Sequence, residues 1–181
     1  HGIAAVMPVS AFGMPQDAHM WSEWSARTGV PVLIDAAAAF GAQKTAPGVM
    51  AVFSLHATKA LSCGEGGLVV TRDAKQAKRL RAMTNFGIGL AHASSASNAK
   101  MSEYHAAIGL AHLAMWPEQV KARRCVLDRY HRALGPAVGR LLTLQKDTGL
   151  QAPSVLPVRL ASSALRDRLE HCGKADGVQT R

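Results

Sequence analysis

The chain has 181 residues, 48% hydrophobic and 18% charged, which is enough to bury a domain-sized core and too apolar for low-complexity disorder over most of its length. No uncharged apolar run reaches the roughly 18–20 residues of a membrane helix, because the most apolar stretch, residues 30–40, is split by Asp35. The formal charge of +9, from 21 Lys+Arg against 12 Asp+Glu, is densest at residues 75–81 and 121–132, which read as helices without interleaved aromatics, so a nucleic-acid-binding module would rest on charge alone.

In chain order, residues 3–9 form a short apolar run that reads as a buried strand ending at Ser10. Phe12-Gly13-Met14-Pro15 reads as a turn. Asp17 is a good N-cap for a helix that carries Trp21 and Trp24 and stops at Gly29. Residues 31–34 are a second buried strand, ending at Asp35, and residues 50–55 a third. A fourth, residues 68–71, is entered through the turn Gly64-Glu65-Gly66-Gly67. Residues 74–83 form a basic amphipathic helix and residues 102–115 an Ala-rich one. Pro117 opens a long helix that ends near Leu134, before Gly135-Pro136. A weak strand, residues 156–160, and a helix capped by Ser162 and ended by Gly173 follow. Near-continuous apolar strands alternating with helices predict an α/β fold with a largely parallel, buried sheet. The composition shifts near Gly135, which predicts one domain over residues 1–135 and the beginning of another over residues 136–181.

Cys63, Cys125 and Cys172 are scattered and odd in number, with no CxxC, so neither a disulfide framework nor a zinc ribbon is expected. The histidines show no metal-ligand spacing with a third ligand, so no metal is expected either. His105 and His112 fall on similar helix faces and read as packed or exposed helix positions. The cysteine usage and the lack of a signal-peptide pattern point to the cytoplasm.

Open α/β sheets bind ligands at the carboxyl ends of their strands. Here those ends are Ser10, Asp35, and Ser54 followed by Lys59. Asp35 closes a strand of pure hydrophobes and precedes Ala36-Ala37-Ala38-Ala39, so its carboxylate wants a cationic partner. A protonated cofactor ring nitrogen, a helix cap or a structural ion pair would each serve. The Lys59 amine can form an imine with an aldehyde cofactor and then shuttle a proton; a solvated surface lysine is the plainer alternative. Ser54 and Thr58 could donate hydroxyls to a phosphate.

Several motifs in order resemble the DegT/DnrJ/StrS family of sugar aminotransferases. They are Pro31-Val32-Leu33-Ile34-Asp35-Ala36-Ala37; Phe53-Ser54-Leu55-His56-Ala57-Thr58-Lys59 with the glycine turn Gly64-Glu65-Gly66-Gly67; Asn85-Phe86-Gly87; and Asn98-Ala99-Lys100-Met101-Ser102-Glu103. The resemblance implies a pyridoxal-phosphate enzyme of fold type I: a mostly parallel large-domain sheet with flanking helices, plus the start of a small α+β domain. It implies that Lys59 carries the cofactor, Asp35 pairs with the pyridine nitrogen, Ser54 contacts the phosphate, and Asn98 reaches the phosphate of a neighbouring subunit in a homodimer. Ser10, His56 and Thr58 are further candidate contacts. Ala38 stands where the family often has Gln or His on the ring hydroxyl, and Lys100 where it usually has Arg.

The implied reaction moves an amino group, with glutamate as the expected donor, onto a keto nucleotide sugar in amino-sugar or polysaccharide biosynthesis, without nucleic acid or membrane partners. A lyase or aldolase of the same fold is the rival enzyme. Relatives are longer and begin with a phosphate-binding Gly-Thr loop. The chain therefore reads as the middle of such an enzyme, with His1 and Arg181 as cut points. Alone it would be catalytically incomplete, with apolar faces exposed where the rest would pack.

Overall fold

A computed structural model describes residues 2–89, 95–149 and 152–180. His1 and Arg181 lie outside these residues. The first helix, α1 (Ala18–Thr28), begins where the Asp17 carboxylate accepts from the N–H groups of His19 and Met20, and ends at Gly29, whose φ of 71° lets the chain turn. It leads to β1 (Val32–Asp35) and β2 (Val49–Ser54), which pair in parallel with Val32 opposite Val49 and Asp35 opposite Val52. β3 (Gly67–Val70) pairs with β2 in the opposite sense, Ser54 opposite Gly67. The segment between β2 and β3 contains no crossover helix, and a parallel return needs one. The sheet is thus parallel on one side of β2 and antiparallel on the other.

The predicted strand over residues 3–9 appears as two single parallel bridges to β1, Val6 with Val32 and Val9 with Asp35. Pro8 interrupts it by lacking an N–H, though its carbonyl still accepts from Asp35. The buried face of the sheet carries Val32, Ile34, Val49, Ala51 and Phe53, and α1 packs on it through Trp21 and Trp24. Apolar side chains are exposed at both edges: Ile3, Met7 and Val9 on one, Leu68, Val69 and Val70 on the other.

After β3 come α2 (Ala74–Thr84), capped by Asp73, α3 (Glu103–Ala114), capped by Ser102, and α4 (Trp116–Leu134). α3 is apolar on several sides and buries none of its residues; Tyr104, Ile108, Leu110 and Leu113 are all exposed. A short strand that the sequence does not announce, β4 (Leu142–Leu144), pairs antiparallel with β5 (Val158–Leu160). α5 (Ser163–Ala175) starts at the predicted cap Ser162 but runs through Gly173. The turn that ends it lies at Gly177, at φ 74°, where the Val178 N–H donates to the Gly173 carbonyl. No helix of the described residues is long and apolar enough to cross a membrane.

α4 is tied to the segment between β4 and β5 by a two-pronged ion pair, Arg124 to Asp147 at 2.7 and 2.8 Å. The Arg124 hydrogen bonds, helped by the Gly149 N–H, pull the Asp147 carboxyl from an ordinary 3.8 down to about 2. A carboxyl whose pKa falls on folding stabilises the fold above its unfolded value, and that contribution disappears as pH drops through the folded value. Urea unfolding of the protein against Asp147→Asn should therefore show an advantage of about 1–2 kcal/mol at neutral pH, shrinking as pH falls from about 4 to 2. A pH-independent difference would mean that the pair contributes through shape alone.

Candidate functional site

Parallel register places the ends of three chain segments side by side. The Ser10 N–H donates to the Asp35 carbonyl at 2.8 Å, and the Ala36 N–H to the Val52 carbonyl at 2.8 Å. Side chains alternate along a strand, so Asp35, Val52 and Ser54 share the half-open face, opposite the buried Ile34 and Phe53. Asp35 and Ser54 lie on neighbouring strands with a two-residue offset, Asp35 standing opposite Val52.

Asp35 accepts from the Ala37 N–H through Oδ1 at 3.0 Å, which fixes the carboxylate in a local turn. Its other oxygen has no hydrogen-bond or ion-pair partner among the described residues. A half-buried carboxylate without a protein cation suits a cationic ligand atom better than it suits a structural ion pair. Ser54 Oγ accepts from the His56 N–H at 3.3 Å, and its own hydrogen remains available.

Lys59 follows in a tight turn, its N–H donating to the His56 carbonyl at 2.9 Å. The side chain is half-buried, and its amine has no ion-pair partner among the described residues. The loop that carries it is anchored on both sides of the lysine. Leu55, Leu61 and Cys63 form a small second core, packed by Phe40, Met101 and Trp116. Burial pushes the Cys63 thiol up, helped by the Glu65 charge, and the thiol donates to the Glu65 carbonyl. It is a packing group with no thiolate character.

The glycine turn is required by what lies over it. A Cβ on Gly66, at φ 146°, would stand 2.7 Å from Met101 Cε and 3.2 Å from Cys63 Sγ. One on Gly64 would stand 3.1 Å from the His105 ring. His112 Nδ1 meets the Ser62 carbonyl at 2.7 Å, so α3 braces the lysine loop at a second point. Both histidines pack against this loop, one of the two roles their helix spacing allowed.

The remaining candidates divide. His56 Nδ1 accepts from the Thr58 N–H at 3.2 Å and lies 2.9 Å from the Thr58 hydroxyl, which places the ring proton on Nε2, 3.6 Å from exposed Glu65. The Thr58 hydroxyl is thereby engaged within its own turn. The Ser10 hydroxyl is buried and donates to Gln43 Oε1 at 2.8 Å, so its hydrogen is already used. Ala38 offers no polar side-chain atom, and its carbonyl oxygen lies 2.9 Å from where a Cβ on Gly13 would stand. Asn98 is exposed and bridges Asn85 at the end of α2; no hydrogen bond or ion pair of the described residues ties it to Asp35, Ser54 or Lys59. Gln43, which accepts from the Ser10 hydroxyl, carries no sequence signal, being a lone glutamine after an alanine run.

The donor set fits pyridoxal phosphate: an acid with one oxygen free among the described residues for a ring N–H, a hydroxyl at a strand end for a phosphate, and an amine without an ion-pair partner among the described residues on a braced loop.

Comparison with known proteins agrees. The profile of the DegT/DnrJ/EryC1/StrS aminotransferase family matches residues 2–181. The chain is 37% identical over 123 residues to dTDP-3-amino-3,4,6-trideoxy-alpha-D-glucose transaminase of Streptomyces venezuelae, covering 62% of this chain and 32% of the relative. It superposes on DesI, solved with its TDP-sugar product, with a TM-score of 0.83 at 34% identity, over 99% of this chain and 48% of that one. On S. venezuelae DesV in complex with a ketimine intermediate the TM-score is 0.81 at 28% identity, over 97% of this chain and 48% of that one. The chain spans about a third of the length of the curated relatives it matches and about half that of the solved ones.

Proposed function

The chain belongs to the DegT/DnrJ/EryC1/StrS aminotransferase family, and on that premise we propose that its protein is a cytoplasmic, pyridoxal-phosphate-dependent transaminase that aminates a keto nucleotide sugar. The observation that carries this is Asp35, with one carboxylate oxygen unpartnered among the described residues, on the same sheet face as Ser54, which leads into the braced loop of Lys59. Bound there, the cofactor supplies an electron sink for the carbon next to an amine. Asp35 accepts a hydrogen bond from the ring nitrogen and keeps it protonated. Ser54 Oγ donates to the phosphate. Lys59 Nζ would hold the cofactor covalently and, as a free amine, would carry the proton between the amine-bearing carbon and the cofactor carbon.

Glutamate is the proposed donor, and amino-sugar or cell-surface polysaccharide synthesis the proposed use. The cofactor domain is proposed to span residues 1–135, with a second domain beginning at 136; the separate β4–β5 sheet supports that division. A homodimer with shared sites is proposed too. The exposed apolar side chains of α3 support it, and Asn98, exposed just before α3, would then serve the other subunit's phosphate.

Borohydride reduction in the presence of pyridoxal phosphate, followed by peptide mapping, tests the reading. Labelling of Lys59, with amination of a keto nucleotide sugar by glutamate, is the expected result. Labelling of another lysine, or of none, overturns it. Carbon–carbon cleavage or elimination in place of amination would favour the lyase reading.

A further inference from the structure

We propose that Gln43 is a positioning residue of this site, holding the segment after Ser10 to the turn after Asp35 and so setting where the Asp35 carboxylate stands. The inference rests on the reading of Asp35 as the cofactor's partner. Ser10 and Gln43 are the two buried polar side chains among the described residues, at 2% and 7% exposure, and they bond to each other. Every hydrogen-bonding position of the Gln43 carboxamide is filled. Its oxygen accepts from the Ser10 hydroxyl at 2.8 Å and from the Gln16 N–H at 2.7 Å. Its nitrogen donates to the carbonyls of Gln16 at 3.0 Å and Lys44 at 2.8 Å.

The network reaches Asp35 through the backbone. The Ser10 N–H holds the Asp35 carbonyl, the Asp35 N–H holds the Pro8 carbonyl, and the Gln16 side chain reaches back to the Val9 carbonyl at 2.8 Å. Gly13, at φ 80°, lies close against the Ala38 carbonyl, so the two segments pack as one rim beside the strand ends. Only a neutral amide of this length serves all four partners. Leucine would strand the Ser10 hydroxyl and both backbone groups of Gln16. Glutamate would keep the acceptors, lose both donors and bury a charge. Once the rim loosens, the Asp35 carbonyl loses its partner and the carboxylate its fixed approach to the ring nitrogen.

The test compares the protein with Q43L and with the near-isosteric Q43E. It measures pyridoxal-phosphate affinity, the pH midpoint of the bound cofactor's absorption, and amide hydrogen exchange without cofactor. Q43L should weaken cofactor binding by about 10-fold or more and move the pH midpoint. It should also speed exchange at the Ser10 and Ala37 amides by about 10-fold, leaving Phe53 and Leu68 in β2 and β3 unchanged. Borohydride should still label Lys59 in Q43L. A variant that is merely less stable, with cofactor affinity within about 2-fold and the pH midpoint in place, overturns the proposal. If Q43L does not fold, Q43E is judged by the same criteria. If the unsubstituted protein takes up no cofactor, the reading of the site fails; the exchange comparison then decides alone whether Gln43 holds Asp35 in place.

Discussion

Lys59→Arg is expected to cut transamination by about 10³-fold or more while leaving the fold intact. Arginine keeps the charge and nearly the length of lysine, so the loop, anchored by Leu55, Leu61 and Cys63, should hold its shape. What is lost is the chemistry. A guanidinium stays protonated, forms no covalent bond to the cofactor and cannot accept the proton from the substrate carbon. The full-length protein would be followed with glutamate and a keto nucleotide sugar, and its unfolding midpoint compared with that of the unsubstituted enzyme. An unchanged midpoint with abolished turnover and no borohydride label is the expected outcome. Turnover within 10-fold of the original would remove Lys59 from the mechanism.

The second large effect concerns Asp35. Asp35→Asn should lower the rate by about 10²-fold or more, and Asp35→Ala by at least as much. The two substitutions separate the turn bond to Ala37 from the role proposed for Asp35 toward the cofactor's ring nitrogen. Oδ1 accepts from the Ala37 N–H and shapes the turn; the other oxygen faces no partner among the described residues. Asparagine retains an acceptor for Ala37 and loses the negative charge, so its effect reports on the ring nitrogen alone. Alanine removes the turn bond as well and should cost a further ~1 kcal/mol of stability. If Asp35→Asn left the rate unchanged while Asp35→Ala lowered it, Asp35 would be a structural turn residue, and the cofactor's nitrogen would need another partner.

Much of the fold is legible in the sequence. The pure hydrophobic run before Asp35 forms a strand because nothing in it tolerates solvent, and Asp17 and Ser162 each cap a helix by accepting from backbone N–H groups near its start. The motif order around Asp35, Ser54 and Lys59 belongs to one family, whose profile matches nearly the whole chain. Other features were illegible for identifiable reasons. β4 has three residues, too few for a periodicity to register. Gly173 reads as a helix stop in the sequence, yet a glycine inside a helix is tolerated where the following chain folds back onto it, as Val178 does here. The sense of β3 depended on whether a helix would form between Ser54 and Gly67, and short-range patterns do not decide that.

The sequence by itself determined which side chains stand at the strand ends, because strand termini follow from local hydrophobicity and turn chemistry. It also determined that Gly64 and Gly66 turn the chain. Only the tertiary structure decided how those groups are partnered. Ser10 is spent on Gln43, and one Asp35 oxygen has no partner among the described residues. Ser10 and Gln43 stand 33 residues apart in the chain and meet through sheet register and loop packing. Hydrogen-bond saturation is a property of the folded neighbourhood, which no single segment of the chain encodes.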